Sequence, residues 1–196
     1  MKMKYLCDGV VKAKQKFQRS VEHKNLILSL ADIFQFETYI HAGLKKANAD
    51  FFNNMAKKVG VAYAVDQKPM KFVQDRSNVF VQQMPFDLFI NTWDHSIDLM
   101  FIDGVGGDRC NQIMGIVDLA LPYLKTQTGL MLIHDTFPVR KSLLSSDDCS
   151  DAWQVAKIIR EGKKYKDFES LTLPGPWHGL TIIRYVGKEH LSFSYN

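Results

Sequence analysis

Apolar residues along this chain follow two alternating rhythms. Short, nearly unbroken runs occur at YIHA (39–42), VAYAVD (61–66), VFVQQ (79–83), IDLMFID (97–103) and GLMLIHD (129–135), and each predicts a β-strand. Between them apolar positions recur at the spacing of one helix face. Ile27, Leu30, Ala31 and Phe34 mark a helix that Ser20 opens, and Ala47, Phe51, Met55 and Val59 mark another. Gly60 is placed to end that second helix at a C′ position. PFDLFINTW (85–93) predicts a short helix, and Ile113, Ile116, Val117, Ala120, Leu121 and Leu124 form one apolar stripe within 111–125. DAWQVAKIIREG (151–162) predicts a further helix, ended by Gly162.

Strands alternating with helices imply an α/β fold with a parallel sheet covered on both faces, and runs this apolar are what such a sheet requires. The end of the chain breaks the alternation. DFESLTLP (167–174) and GLTIIRYV (179–186) flank GPWHG, a turn between two antiparallel strands. An all-parallel dinucleotide-binding domain would not close this way. The 196 residues suit a single domain, 1–196, with a loose arm at 1–17 and a leading helix within 18–36.

Composition narrows the class. A hydrophobic fraction of 46% can fill a core and 23% charged residues can cover it. The net charge of +4 is mild, and the lysines at 2, 4, 12, 14 and 16 and at Lys163, Lys164 and Lys166 read as solvated surface. No dense basic stripe with interleaved aromatics is present, so no nucleic-acid partner is expected. Cys7, Cys110 and Cys149 are far apart and form no CxxC pair, which fits a reduced, cytoplasmic setting. No signal-peptide pattern and no run of ~20 apolar residues occurs, so no membrane association is expected.

In an open α/β sheet, ligands bind beyond the carboxyl ends of the strands. The residues to read are therefore His41, Ala42 and Gly43, then Asp66, then Gln83 and Met84, then Asp103, then His134 and Asp135. Asp66 lies 23 positions after Gly43, where an acid can accept both hydrogen bonds of a ribose diol or simply face water. The loop HAGLKKAN carries one glycine, too few to cradle a pyrophosphate. Lys45 and Lys46 within it are surface lysines or partners of a ligand carboxylate. If the strands before Asp103 and His134 are neighbours, Asp103, His134 and Asp135 converge. Two carboxylates and an imidazole could then hold Mg²⁺, Mn²⁺ or another divalent ion. Alternatively, Asp135 caps a loop and His134 is a half-buried structural histidine. His178, beside Trp177, is a base over the sheet edge or a plain turn residue. GxSxG and other nucleophile patterns are absent, so a hydrolase triad has no support.

The stretch DLMFIDGVGGDRCNQIMGIVDLALPYLKTQTGLMLIHDT (98–136) resembles the core of class I S-adenosylmethionine-dependent methyltransferases of the macrocin O-methyltransferase and cephalosporin-hydroxylase-like group. The DAW helix and LTLPGPWHGLTIIR resemble that group's ending, and the likeness spans roughly residues 36–186. The resemblance implies a Rossmann-like three-layer sandwich with a mostly parallel seven-stranded sheet, order 3-2-1-4-5-7-6, its last strand antiparallel. It implies methyl transfer from S-adenosylmethionine to a small-molecule acceptor, usually at a hydroxyl oxygen. It places the cofactor on His41, Ala42, Gly43, Asp66, Gln83, Met84 and Asp103, with Asp66 at the ribose and Met84 at the adenine. It places catalysis, and a divalent metal such as Mg²⁺ or Mn²⁺, on Asp103, His134 and Asp135. A homo-oligomer is also open. Where that group reads EIGxxxGxST, this chain has HAGLKKAN; where it has GDH after the strand-end aspartate, this chain has GVGG; and the segment from Asp66 to Val79 is short. A catalytically silent ligand- or partner-binding module is therefore the alternative, and a nicotinamide dehydrogenase comes third.

Overall fold

The computed structural model describes residues 23–103, 109–137, 151–174 and 179–187. Helix α1 (23–34) precedes β1 (Thr38–Ala42), α2 (Ala49–Met55), β2 (Val61–Val65) and β3 (Val79–Gln82). There follow α3 (Phe86–Ile90), β4 (Leu99–Ile102), α4 (Arg109–Ala120), β5 (Leu130–His134), α5 (Trp153–Glu161), β6 (Phe168–Leu173) and β7 (Leu180–Tyr185). The strands make one sheet in the order β3-β2-β1-β4-β5-β7-β6, with β7 antiparallel to both its neighbours. Order and closing hairpin match the expectation from sequence. Ser20, the N-terminal lysines, Cys7, Cys149, Trp177 and His178 lie outside the described residues.

Period-two alternation along the strands sorts the core into two layers. On one face Tyr39, Ala62, Ala64, Leu99, Phe101 and Leu132 pack against Ile27 and Ala31 of α1 and Phe51, Phe52 and Met55 of α2. On the other, Ile40, Met100, Ile102, Met131 and Ile133 pack against Phe89, Ile113, Val117, Val155 and Ile159 from α3, α4 and α5. All four residues of β4 are buried, so both its faces are covered. Each such aliphatic side chain contributes ~1.5–3 kcal/mol. At the amino ends of the strands the buried Asp98 ties elements together: its carboxylate accepts the Thr38 N–H at 3.0 Å and the Lys125 ammonium at 2.8 Å. Among the described residues no helix is long and apolar enough to cross a membrane.

Two local expectations need correction. The stripe from Ala47 to Val59 is not one helix, because a 3-10 turn at Lys46–Asn48 precedes α2 and α2 stops at Met55. Gly60 is not in the left-handed region; the described glycines that are include Gly43, Gly179 and Gly187. Gly60 is needed for a close approach instead, since a Cβ there would lie 2.9 Å from the Glu37 carbonyl oxygen. The short segment 67–78 crosses from β2 to β3 without a helix. Buried Met70 fills that part of the layer, and Asn53 and Asn78 hold the crossing. Asn53 Oδ1 accepts the Gln74 N–H at 3.1 Å, and Asn78 Nδ2 donates to the carbonyls of Ala56 and Val59 at 2.9 and 3.2 Å.

Candidate active site at the carboxyl edge of the sheet

Strand register lines up the residues that follow the parallel strands. Ala42 is level with Val65 and Ile102, Val65 with Gln82, and Ile102 with Ile133. Gly43, Asp66, Gln83, Asp103 and His134 therefore leave the sheet in one row, at the edge where α/β folds bind ligands.

The first half of the row is open. Gly43 turns the chain out of β1 at φ +79°, a conformation that disfavours a side chain, and its N–H donates to the Val65 carbonyl at 2.9 Å. Asp66 is half-buried and its Oδ1 accepts the Lys68 N–H at 2.8 Å, the geometry of a side-chain turn. Gln83 is exposed, and Met84 packs half-buried against the α3–α4 layer. Lys45 and Lys46 are exposed.

The side chains of His41 and Ala42 turn into the two apolar layers and away from this edge. Ala42 turns its side chain into the α3–α5 layer, and its carbonyl accepts the Asp103 N–H at 3.0 Å. His41 is wholly buried on the other face, edge-on to Phe51, Phe52 and Phe101. The reason is register: strand alternation sends residue 41 the same way as Tyr39, under α2. Its Nδ1 lies 2.9 Å from the Tyr39 hydroxyl, while its Nε2 has no hydrogen-bond partner among the described residues. Burial pushes its pKa down to about 4, against an opposing pull from Asp103, so the ring is neutral.

The second half of the row is a compact ionic cluster. His134 Nδ1 stands 2.9 Å from Asp135 Oδ1 and 3.6 Å from Asp103 Oδ1. Burial opposes charge on His134, but the two carboxylates outweigh it and raise its pKa to about 10. Burial likewise works to raise the Asp103 pKa, and the hydrogen bond and charge of His134, with His41 and Lys45, instead hold it well below the usual carboxylate range. Asp135 takes φ +65°, a left-handed conformation that aspartate tolerates better than most residues. Its N–H donates to the Gly179 carbonyl at 3.1 Å, and Arg109 Nη1 lies 3.4 Å from its Oδ2. Thr136 anchors the turn through Thr181 at 2.7 Å, which in turn meets Thr172 at 3.1 Å.

The ligand atoms of Asp103, His134 and Asp135 all lie within 4.8 Å of one another. Two carboxylate oxygens and an imidazole nitrogen this close could reach one cation after a modest contraction. Three residues that the sequence did not single out join the cluster: Arg109 at the start of α4, Asn48 before α2, and Lys24 in α1. Asn48 Nδ2 donates to Asp103 Oδ2, and Lys24 Nζ donates to Asn48 Oδ1 at 2.6 Å. The His23 ring lies 6.1 Å from that of His134. A signal existed for two of them, because Lys24 is in helical register with Ile27 and Ala31, and Asn48 with Phe52 and Met55. A surface groove lined by His95, Pro122, Tyr123 and Lys125 lies at the amino ends of β4 and β5, away from this chemistry.

No family model and no curated protein sequence matches the chain. Solved structures do. A cofactor-bound protein from MTB superposes with a TM-score of 0.64 at 16% identity, covering 85% of this chain and 81% of that one. The N-methyltransferase NodS from Bradyrhizobium japonicum gives 0.61 at 11%, covering 86% and 96%. The O-methyltransferase TomG from Streptomyces achromogenes, involved in tomaymycin synthesis and solved with SAM, gives 0.58 at 13%, covering 85% and 80%. With the strand order and the antiparallel β7, these likenesses show that the chain has the Rossmann-like fold of class I methyltransferases.

Proposed function

We propose that this protein transfers a methyl group from S-adenosylmethionine to a hydroxyl oxygen of a small-molecule acceptor. The observation that carries the reading is the single row of Gly43, Asp66, Asp103 and His134 at the carboxyl edge of a methyltransferase sheet. S-adenosylmethionine, when bound, supplies an activated methyl on a sulfonium. Asp66 would accept the ribose hydroxyls by exchanging its present bond to the Lys68 N–H, and Met84 would offer an apolar contact to the adenine. Gly43, without a side chain, leaves room for close approach at the turn.

The acceptor oxygen must lie ~3 Å from the methyl carbon and in line with the breaking bond. Its proton must also leave, and here the cluster matters. His134 carries a proton to about pH 10, so the bare cluster donates hydrogen bonds more readily than it takes a proton. A divalent ion on Asp103, His134 and Asp135 would supply the charge that acidifies a bound hydroxyl. His134 would give up its proton to serve as ligand, and Arg109 and Asn48, already on the outer carboxylate oxygens, would orient the two acids.

The burial of His41, where the group resembled has an acid, favours a second reading: a silent module that keeps the fold and binds a partner or ligand without turnover. Titration calorimetry with S-adenosylmethionine and S-adenosylhomocysteine, with and without Mn²⁺, tests the cofactor site on which the enzyme reading depends. The enzyme reading expects saturable binding and a loss of roughly 1–3 kcal/mol in Asp66→Ala, the scale of a charge-assisted hydrogen bond. Wild type that binds neither compound at millimolar concentration would leave the silent module.

A further inference from the structure

Asp103 uses its two oxygens differently. Oδ1 faces His134 at 3.6 Å, while Oδ2 accepts from Asn48 Nδ2. Asn48 is 8% exposed, and its own carbonyl oxygen accepts the Lys24 ammonium at 2.6 Å. The direction of this chain is set by chemistry. A lysine ammonium has only hydrogens to offer, so the Asn48 oxygen must turn to Lys24. The Asn48 amide group must then turn to Asp103, which as a carboxylate can only accept. The three groups come from α1, the turn before α2 and the end of β4, so they tie both helices of one layer to the acid at the site. The His23 ring beside His134 places the first turn of α1 against the same cluster.

We propose that Lys24 and Asn48 are positioning residues, holding Oδ2 of Asp103 so that Oδ1 is presented to His134 and to whatever ion or ligand the cluster takes. The proposal rests on the reading of Asp103, His134 and Asp135 as the functional cluster. It predicts that α1 is a wall of the site as well as a cover for the sheet. Loss of either member frees the acid to rotate, with an effect on affinity larger than on folding.

The test uses the full chain and five variants: Asn48→Ala, Asn48→Ser, Lys24→Met, Lys24→Arg and Asp103→Asn. Mn²⁺ affinity is measured by calorimetry, thermal midpoint by circular dichroism, and the Asn48 side-chain amide signals by ¹H–¹⁵N NMR of the metal-free protein. Asn48→Ala (or Asn48→Ser, should the alanine variant not fold) and Lys24→Met are expected to weaken Mn²⁺ binding about tenfold, the usual scale for residues behind a ligand. Lys24→Arg, which keeps the charge and N–H donors, is expected to weaken Mn²⁺ binding less than Lys24→Met does. The Asn48 amide signals are expected to move in both Lys24→Met and Asp103→Asn. Unchanged Mn²⁺ affinity in Asn48→Ala and Lys24→Met overturns the proposal. Should wild type bind no Mn²⁺, the metal reading fails by itself, and the amide signals decide alone: an Asn48 resonance indifferent to Lys24→Met overturns the relay.

Discussion

Two histidines on the same face of the sheet are driven to opposite charge states by what touches them. His134 meets two carboxylates and stays protonated to about pH 10. His41 meets three aromatic rings and a tyrosine, and its pKa falls to about 4. Below the unfolded value near 6.5, the unfolded chain takes up a proton at residue 41 that the native chain refuses. Its contribution is thus fully present above about pH 6.5 and is lost as pH falls toward 4, with a slope of up to about 1.4 kcal/mol per pH unit. The pair Tyr39→Phe with His41→Leu removes both polar partners together, which is close to neutral for stability at pH 7. Urea unfolding at pH 5 and 7 is expected to show a smaller acid-side loss in the double variant than in wild type. An equal loss in both would place the acid sensitivity elsewhere. Asp135 is tested separately: Asp135→Asn keeps the left-handed turn, since asparagine tolerates it equally well, but removes a charge. It should still fold, with lower stability because His134 and Arg109 lose a carboxylate partner, while Mn²⁺ binding weakens at least about tenfold. Equal Mn²⁺ binding by the two proteins would remove Asp135 from any metal site.

At the scale of elements, the exit of β5 packs tightly on the start of β7 at Gly179. Gly179 has φ +66°, and a Cβ on it would lie 2.2 Å from the Cβ of Phe137 and 2.9 Å from its backbone nitrogen. The same residue accepts the Asp135 N–H. Gly179→Ala should therefore cost at least about 2 kcal/mol, from left-handed strain and from overpacking. Gly115 is the control. It is exposed within α4 and a Cβ there meets nothing within 4 Å, so Gly115→Ala should stabilise the protein by about 0.5–1 kcal/mol through helix propensity. Chemical denaturation of both variants checks the pair, and similar shifts for the two glycines would contradict the packing argument.

For the whole molecule, one sheet carries both apolar layers, and β1 and β4 at its centre contribute to each. Neither layer can lose its packing without exposing the other side of the same strands. We expect a single cooperative unfolding transition, with far-ultraviolet dichroism and the fluorescence of the buried Trp93 changing together. Two separated transitions would divide the chain into independent units.

The sequence by itself determined the fold class, because period-two and helical patterns are local properties written in neighbouring residues. Every parallel strand was legible as an apolar run, and the closing hairpin was legible from its two runs around GPWHG. Strand ends were legible too, so Asp66, Asp103, His134 and Asp135 could be named before any contact was known. Tertiary structure decided which of those ends meet and which way they face. One residue of strand register hides His41 under α2 yet brings Asp103 level with His134. Gly60 reads as a helix cap in sequence, yet it is required by the backbone of Glu37, a residue 23 positions earlier. Lys24, Asn48 and Arg109 reach the cluster across gaps of 26 to 79 residues, and they carried only the faint signal of polar side chains set in or beside apolar stripes. Side-chain partners so distant along the chain are chosen by packing, which no local pattern records.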